Sequence, residues 1–372
     1  MPTMWNTYRN GDWQVPSGNA ASPWNDGGTQ AARNKFPDEA DAAITVNHNL
    51  TNVSSLTLNN AGSMLTVSAN KTMAYAAGAT WTFTSSSSGV IINSGSSAPP
   101  NLVVNGNVMV NVASAFPATC TVNVSNGTLR LNAVSQILDT LTFSGGTIEN
   151  NGVGVTVNNF VPSGTFTIGA SSGSGASSWT FGGAFPAGTS GAKTFGSGMN
   201  GLVVVFNGTA DTTGWAFSYT GNPASTMTFN QDGILGSSMV APAGGLTIAA
   251  GKTVAIPAGV TLSQHASAAD NPITFGAGSA LLNYGTITGG GPAHRWVLNG
   301  TATSALVNYG TLTLTVATIN VPIFTMSAPT ITLWSGMMSS FGTYGKVYPL
   351  RREIVALGVD CSRAYGFARS LS

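Results

Sequence analysis

Apolar and polar residues alternate along most of this chain, in runs too short for helices. Leu56–Leu58, Met64–Val67, Leu102–Val104, Val108–Val112, Thr121–Val124, Leu141–Phe143, Val203–Phe206 and Leu312–Thr315 are each a few alternating or β-branched residues bounded by Gly, Asn or Ser. A period of two predicts half-buried strands, and Gly and Asn accept the left-handed backbone that turns one strand into the next. The pattern predicts an all-β protein with under about 10% helix.

Two repeats organise these strands. Residues 279–288 (SALLNYGTIT) return as 304–313 (SALVNYGTLT), a shift of 25. A period of this length, holding three short strands, predicts one coil of a right-handed β-solenoid, a parallel β-helix whose like residues stack from coil to coil. Asn283, Gly285, Asn308 and Gly310 are read as the corners of successive coils. A longer repeat underlies the first: residues 67–81 (VSANKTMAYAAGATW) align with 248–262 (IAAGKTVAIPAGVTL) with seven identities in fifteen. Thr45 meets Thr228, and Leu129 meets Leu312, at nearly the same offset. Residues 44–155 and 227–335 are therefore read as two related solenoid segments. Residues 156–226, rich in Gly, Ser and aromatic residues, admit two readings: further, less regular coils, or a small inserted sandwich.

Composition fits strands and turns and excludes several alternatives. Gly reaches 47, hydrophobic residues make up 42%, and charged residues only 7% of 372, against roughly 25% in an ordinary soluble domain. So few charges cannot support ion-pair-laced helices or a coiled coil, and a net charge of +1 gives no electrostatic footprint for nucleic acid. No apolar run approaches the roughly 18 residues that span a bilayer, so no membrane insertion is expected. The start lacks the basic-then-apolar order of a secretory signal. Charge concentrates at the ends: three basic against five acidic residues in 1–45, five basic against two acidic in 346–372, and five of each sign between them. Residues 1–43 thus read as an N-terminal cap or docking segment, and 336–372 as a basic C-terminal segment in which Pro349–Gly358 permits a short helix or a strand.

The N-terminal order of Gly11-Asp12-Trp13, the spaced Trp24, Pro37-Asp38-Glu39-Ala40-Asp41 and a first alternating strand resembles the opening of phage and bacterial β-helical surface proteins. Residues 249–262 and 308–314 look like coils of phage tail fibres, tailspikes and autotransporter passengers. The resemblance covers about residues 36–335 and implies a virion structural protein, a fibre, spike or head-decoration subunit, made in the host cytoplasm and carried on the particle. It also implies a homotrimer, contact with other virion proteins, and a host-surface polysaccharide as a further candidate partner. A bacterial surface adhesin or filament subunit, and a carbohydrate-cleaving tailspike, are the alternatives. Trp5, Trp13 and Trp24, with Arg351 and Arg352, are the docking candidates; the competing reading has both ends merely capping the solenoid.

Chemistry is sparse. Glycoside hydrolysis needs two carboxylates across a cleft, and Asp139 and Glu149, expected on neighbouring strands, are the best candidate pair; solvated corner residues are the favoured reading. No metal site or cofactor is expected: His48, His265 and His294 are isolated, and Gly251-Lys252-Thr253 lacks the spacing of a phosphate loop. Cys120 and Cys361 are read as single thiols. Trp81, Trp179, Trp215, Trp296 and Trp334 are candidate sugar-stacking platforms, with Trp81, aligned to Leu262, read as interior.

Overall fold

In the computed structural model of the chain, the alternating stretches are strands that pair in parallel from coil to coil, a β-solenoid. The structure describes residues 43–326 with short interruptions, together with the strands Met4–Thr7, Gly11–Asp12, Trp24–Asn25, Ile331–Leu333 and Lys346–Pro349. No helix occurs among the described residues. The chain divides into two units, Met1–Gly208 with Gly214–Ser218, and Thr209–Thr213 with Tyr219–Ser372.

In the first unit, three strands make each early coil: Ala43–Val46, Leu50–Val53 and Leu56–Leu58, then Met64–Val67, Met73–Tyr75 and Thr80–Phe83. From Asn101 the strands lengthen to 12 and then 16 residues, in Asn101–Val112, Thr121–Asn132, Gln136–Asn151 and Gly154–Gly169. Thr121 pairs with Thr140, and Thr140 with Asn159, so a coil here takes 19 residues rather than 25. The shortening has a local cause: corners are taken inside a continuous strand instead of through a loop. At Gly145 a Cβ would lie 2.3 Å from the Ser125 carbonyl oxygen, and Gly146 follows with φ +83°, a backbone that glycine adopts without penalty. Inward residues stack in columns. Leu102, Val122, Leu141 and Phe160 are in register, as are Val110, Leu129, Ile148 and Ile168, and all are buried. Each contributes roughly 1.5–3 kcal/mol by leaving water.

Within residues 156–226, where the sequence admits two readings, the described strands up to Phe217 continue as coils. Gly154–Gly169 pairs in parallel with Ser177–Phe181 through its first half and with Lys193–Ser197 through its second. These pair onward with Leu202–Phe206 and Trp215–Phe217. The aromatic richness of this stretch goes inside. Phe181 and Phe185 have ring centroids 4.7 Å apart, Phe185 and Trp215 4.5 Å, and Phe195 and Phe217 5.5 Å.

The second unit repeats a three-strand coil five times. Its first face holds Thr226–Phe229, Leu246–Ile248, Asp270–Phe275, Arg295–Asn299 and Ala317–Asn320. Its second face holds Ala210–Asp211, Gly233–Ile234, Thr253–Ile256, Ala280–Asn283, Ala305–Asn308, Ile323–Met326 and Lys346–Pro349. Its third face holds Met239–Val240, Thr261–Ser263, Thr286–Gly289, Thr311–Leu314 and Ile331–Leu333. The 25-residue repeat is one coil: Ala280 pairs with Ala305 and Thr286 with Thr311. Segments aligned by the longer repeat occupy corresponding places: 64–67 and 246–248 are the first strands of a coil, 73–75 and 253–256 the second, 80–83 and 261–263 the third. Insertions and deletions fall at corners, so the pairing step in this unit ranges from 18 residues (Ala305 to Ile323) to 27 (Thr253 to Ala280).

Candidate functional site

The corner Asn-Tyr-Gly-Thr is the most ordered chemistry in the second unit. Asn283 and Asn308 end their strands with side chains turned inward and fully buried. Burying an amide costs energy unless it is bonded, and the amide nitrogens here are: Asn283 Nδ2 donates to Asn308 Oδ1 (2.6 Å) and to the Thr311 carbonyl (3.1 Å), while Asn308 Nδ2 donates to the Gly310 carbonyl (2.9 Å); Asn283 Oδ1, at the end of the ladder, is buried without a partner. Gly285 and Gly310 are required by close approach. A Cβ on Gly310 would sit 2.0 Å from the Gly285 oxygen, and one on Gly285 2.2 Å from the Val260 oxygen. Tyr284 and Tyr309 point outward between them, stacked at 4.9 Å with planes 6° apart. A second amide ladder runs half-buried through the first unit, where Asn151 Nδ2 donates to Asn132 Oδ1 (2.6 Å) and Asn132 Nδ2 to Asn111 Oδ1.

The carboxylate pair is not assembled as the sequence suggested. Asp139 and Glu149 lie on one strand, Gln136–Asn151, with the Gly145-Gly146 corner between them, rather than on neighbouring strands. Asp139 is exposed. Glu149 Oε2 is held by Arg130 Nε at 2.5 Å across the in-register pair. A second surface pair, Arg295 with Asp270, is bidentate at 2.5 and 2.9 Å; the hydrogen bond first and the guanidinium charge with it hold the Asp270 carboxyl below its ordinary value. Both pairs are cross-strand neighbours one coil apart, an arrangement that positions opposite charges to neutralise each other.

Among the described residues no group of three or more His, Cys, Asp and Glu could hold a metal ion. His265 is buried; its backbone N–H donates to Asn271 Oδ1 at 2.9 Å, and its Nε2 lies 3.4 Å from the Tyr219 carbonyl. His48 is half-buried, and His294 lies outside the described residues. Cys120 is a buried thiol whose pKa burial pushes up to about 12, too protonated to act as a nucleophile; Cys361 is outside the described residues. Trp81, Trp179, Trp215 and Trp296 are all buried, so none of the four presents a ring to a sugar. Trp334 is outside the described residues.

Two of the docking candidates lie in backbone strands at the start of the first unit. Met4–Thr7 pairs in parallel with Ala43–Val46, Trp5 opposite Ile44, and its other edge is taken by Trp24–Asn25 in antiparallel register, Thr7 opposite Trp24. Gly11–Asp12 pairs with Leu50–Val53. An antiparallel strand there covers an edge that would otherwise template pairing with another chain. Trp13, Arg351 and Arg352 lie outside the described residues.

One group escaped the sequence reading. Lys193 is buried at 2% exposure, its ammonium held by the carbonyls of Ser190 and Gly191 and lying 5.8 Å from the Phe166 ring centre. Burial lowers its pKa. Its place in a Thr-Phe-Gly-Ser strand gave the only signal: a long side chain at an inward position of an alternating run.

Fold and surface together define a β-solenoid protein with a filled interior and an outer face of repeated columns. Comparison with protein-family models, curated proteins and solved structures finds no match.

Proposed function

We propose that the chain is a non-enzymatic structural protein of a bacteriophage particle, a self-associating fibre, spike or head-decoration subunit exposed on the particle surface. One observation carries the reading: successive parallel coils bury Trp81, Trp179, Trp215 and Trp296 and leave columns of Thr, Asn, Ser and small apolar residues, with the Tyr284–Tyr309 stack, outside. Such a surface repeats at each coil instead of concentrating chemistry in one place. Stacked ladders also suit a particle component, which must stay folded outside the cell without chaperones. The charged ends, 1–43 and 336–372, are assigned to docking on the particle. Incubation of the full chain with capsule and lipopolysaccharide from candidate hosts tests the non-enzymatic part. Polysaccharide size should not change. Cleavage that disappears in Asp139→Asn or Glu149→Gln would replace this reading with that of a tailspike hydrolase.

A further inference from the structure

The three outer faces of the second unit differ in chemistry. On the first, Thr228, Thr247, Thr274 and Asn299 form one outward column, and Asp270 and Arg295 pair beside it. On the third, Thr261, Thr286 and Thr311 form one column and Ser263, Thr288 and Thr313 another. The second face is apolar across its two central coils. Its outward positions, alternating with buried Leu281, Asn283 and Leu306, are Ala280 and Leu282 in one coil and Ala305 and Val307 in the next, with Thr253 and Ala255 before them and Ile323, 39% exposed, and Thr325 after. Tyr284 and Tyr309, 45% and 47% exposed, continue the apolar surface around the corner. No charged residue occupies an outward position from Ile234 to Val307 on this face.

We infer that this second face packs against the same face of a second copy of the chain. The inference rests on the self-association in the proposed function and assigns it a surface. Relief and charge both favour a copy as the occupant. Across the two central coils the columns run small, large: Ala280 and Ala305 form a groove, Leu282 and Val307 a ridge. A twofold axis parallel to the coil stack brings the ridge of one copy over the groove of the other at both of these coils, because both ladders share one spacing of about 4.8 Å. A contact of a face with itself would set any charge against its like; this face carries none in those coils. Five strands at about 4.8 Å and five residues at about 3.3 Å cover roughly 400 Å², within the range of the largest apolar patch on a typical monomer, which is often functional. Two such patches bury less than the roughly 1,200 Å² of a standard stable interface, so association of the isolated chain is reversible and concentration-dependent, and becomes firm where a particle holds copies side by side.

Sedimentation velocity of the full chain, over a concentration series reaching the sub-millimolar range, tests the assignment. Wild type should pass reversibly from monomer to a closed dimer. Leu282→Glu with Val307→Glu should raise the midpoint concentration at least about tenfold, since facing carboxylates repel. Tyr284→Lys with Tyr309→Lys, at exposed corner positions, should do the same. Thr288→Glu with Thr313→Glu, on the third face, should leave the midpoint in place. Far-UV circular dichroism confirms that each variant is folded. A wild-type monomer at all concentrations overturns the inference, as does a midpoint that responds equally to charges on the third face. Particle incorporation is scored separately, so an association confined to this face in a protein absent from particles would sink the virion reading and leave the interface standing.

Discussion

The buried amide ladder makes the strongest demand on the account. In Asn308→Ala the buried Asn283 amide loses its 2.6 Å acceptor and keeps only the Thr311 carbonyl, while the half-buried Gly310 carbonyl loses its 2.9 Å side-chain donor. The buried amide left without that acceptor costs about 1–3 kcal/mol and the half-buried carbonyl about 1 kcal/mol or less, so the substitution should cost about 1–4 kcal/mol. Asn132→Ala also removes two amide bonds, to Asn111 and Asn151, but at half-buried positions where water substitutes, and should cost about 1 kcal/mol or less. Stacked repeats need not unfold in one step, so the assay is native-state amide exchange at the corner. The Tyr309 and Thr311 amides, bonded to Asn283 and Gly285 carbonyls at 2.7 Å, should exchange about 5- to 900-fold faster in Asn308→Ala. In Asn132→Ala the acceleration near residue 128 should stay under about tenfold. Equal, small effects at both sites would refute the claim that the inward Asn column holds the coils in register.

Gly310→Ala should be severely destabilising or fail to fold, because its Cβ would overlap the Gly285 and Tyr284 backbone; Gly251→Ala, with open space but φ +69°, should cost only about 1 kcal/mol, as urea titration of both will show. Gln264→Leu should raise the melting temperature: both polar atoms of Gln264 are buried without a partner, and an apolar side chain there removes a penalty of about 1–3 kcal/mol. Cys120 makes stability depend on alkaline pH. Its folded pKa rises from an ordinary 9.0 to about 12, so the folded state retains a proton that the unfolded state releases; stability is intact below about pH 9 and falls as pH climbs toward 12, by up to about 4 kcal/mol. Cys120→Ala should flatten the pH 9–10 part of that decline, leaving the part above pH 10 to the buried Tyr75 and Tyr219 hydroxyls, which burial also raises.

Local chemistry and repetition made the architecture legible. Alternation located strands such as Thr121–Asn132, and the Asn-Tyr-Gly-Thr corner located one whole coil, because identical residues must stack where coils are identical. Coil length was legible only there: the 19-residue coils around Gly145 arise from a bend within a strand, which leaves no loop in the sequence to mark it. The aromatic stretch 177–217 resisted reading because rings filling an interior and rings on a surface give the same composition; which way Trp179 or Trp215 points is decided by phase within a three- to five-residue strand. The pairing of Glu149 with Arg130 was hidden for a related reason, since opposite charges meet only once the 19-residue register is known.

The central claim, that this β-solenoid is a structural part of a phage particle, is tested most directly by quantitative mass spectrometry of gradient-purified particles from the strain that carries the gene, with the cell-envelope fraction measured in parallel. The account predicts the intact chain in the particle band at a fixed multiple-copy ratio to the major capsid protein. Its presence in the envelope fraction and absence from the particle band would contradict it and point to a cell-surface filament or adhesin.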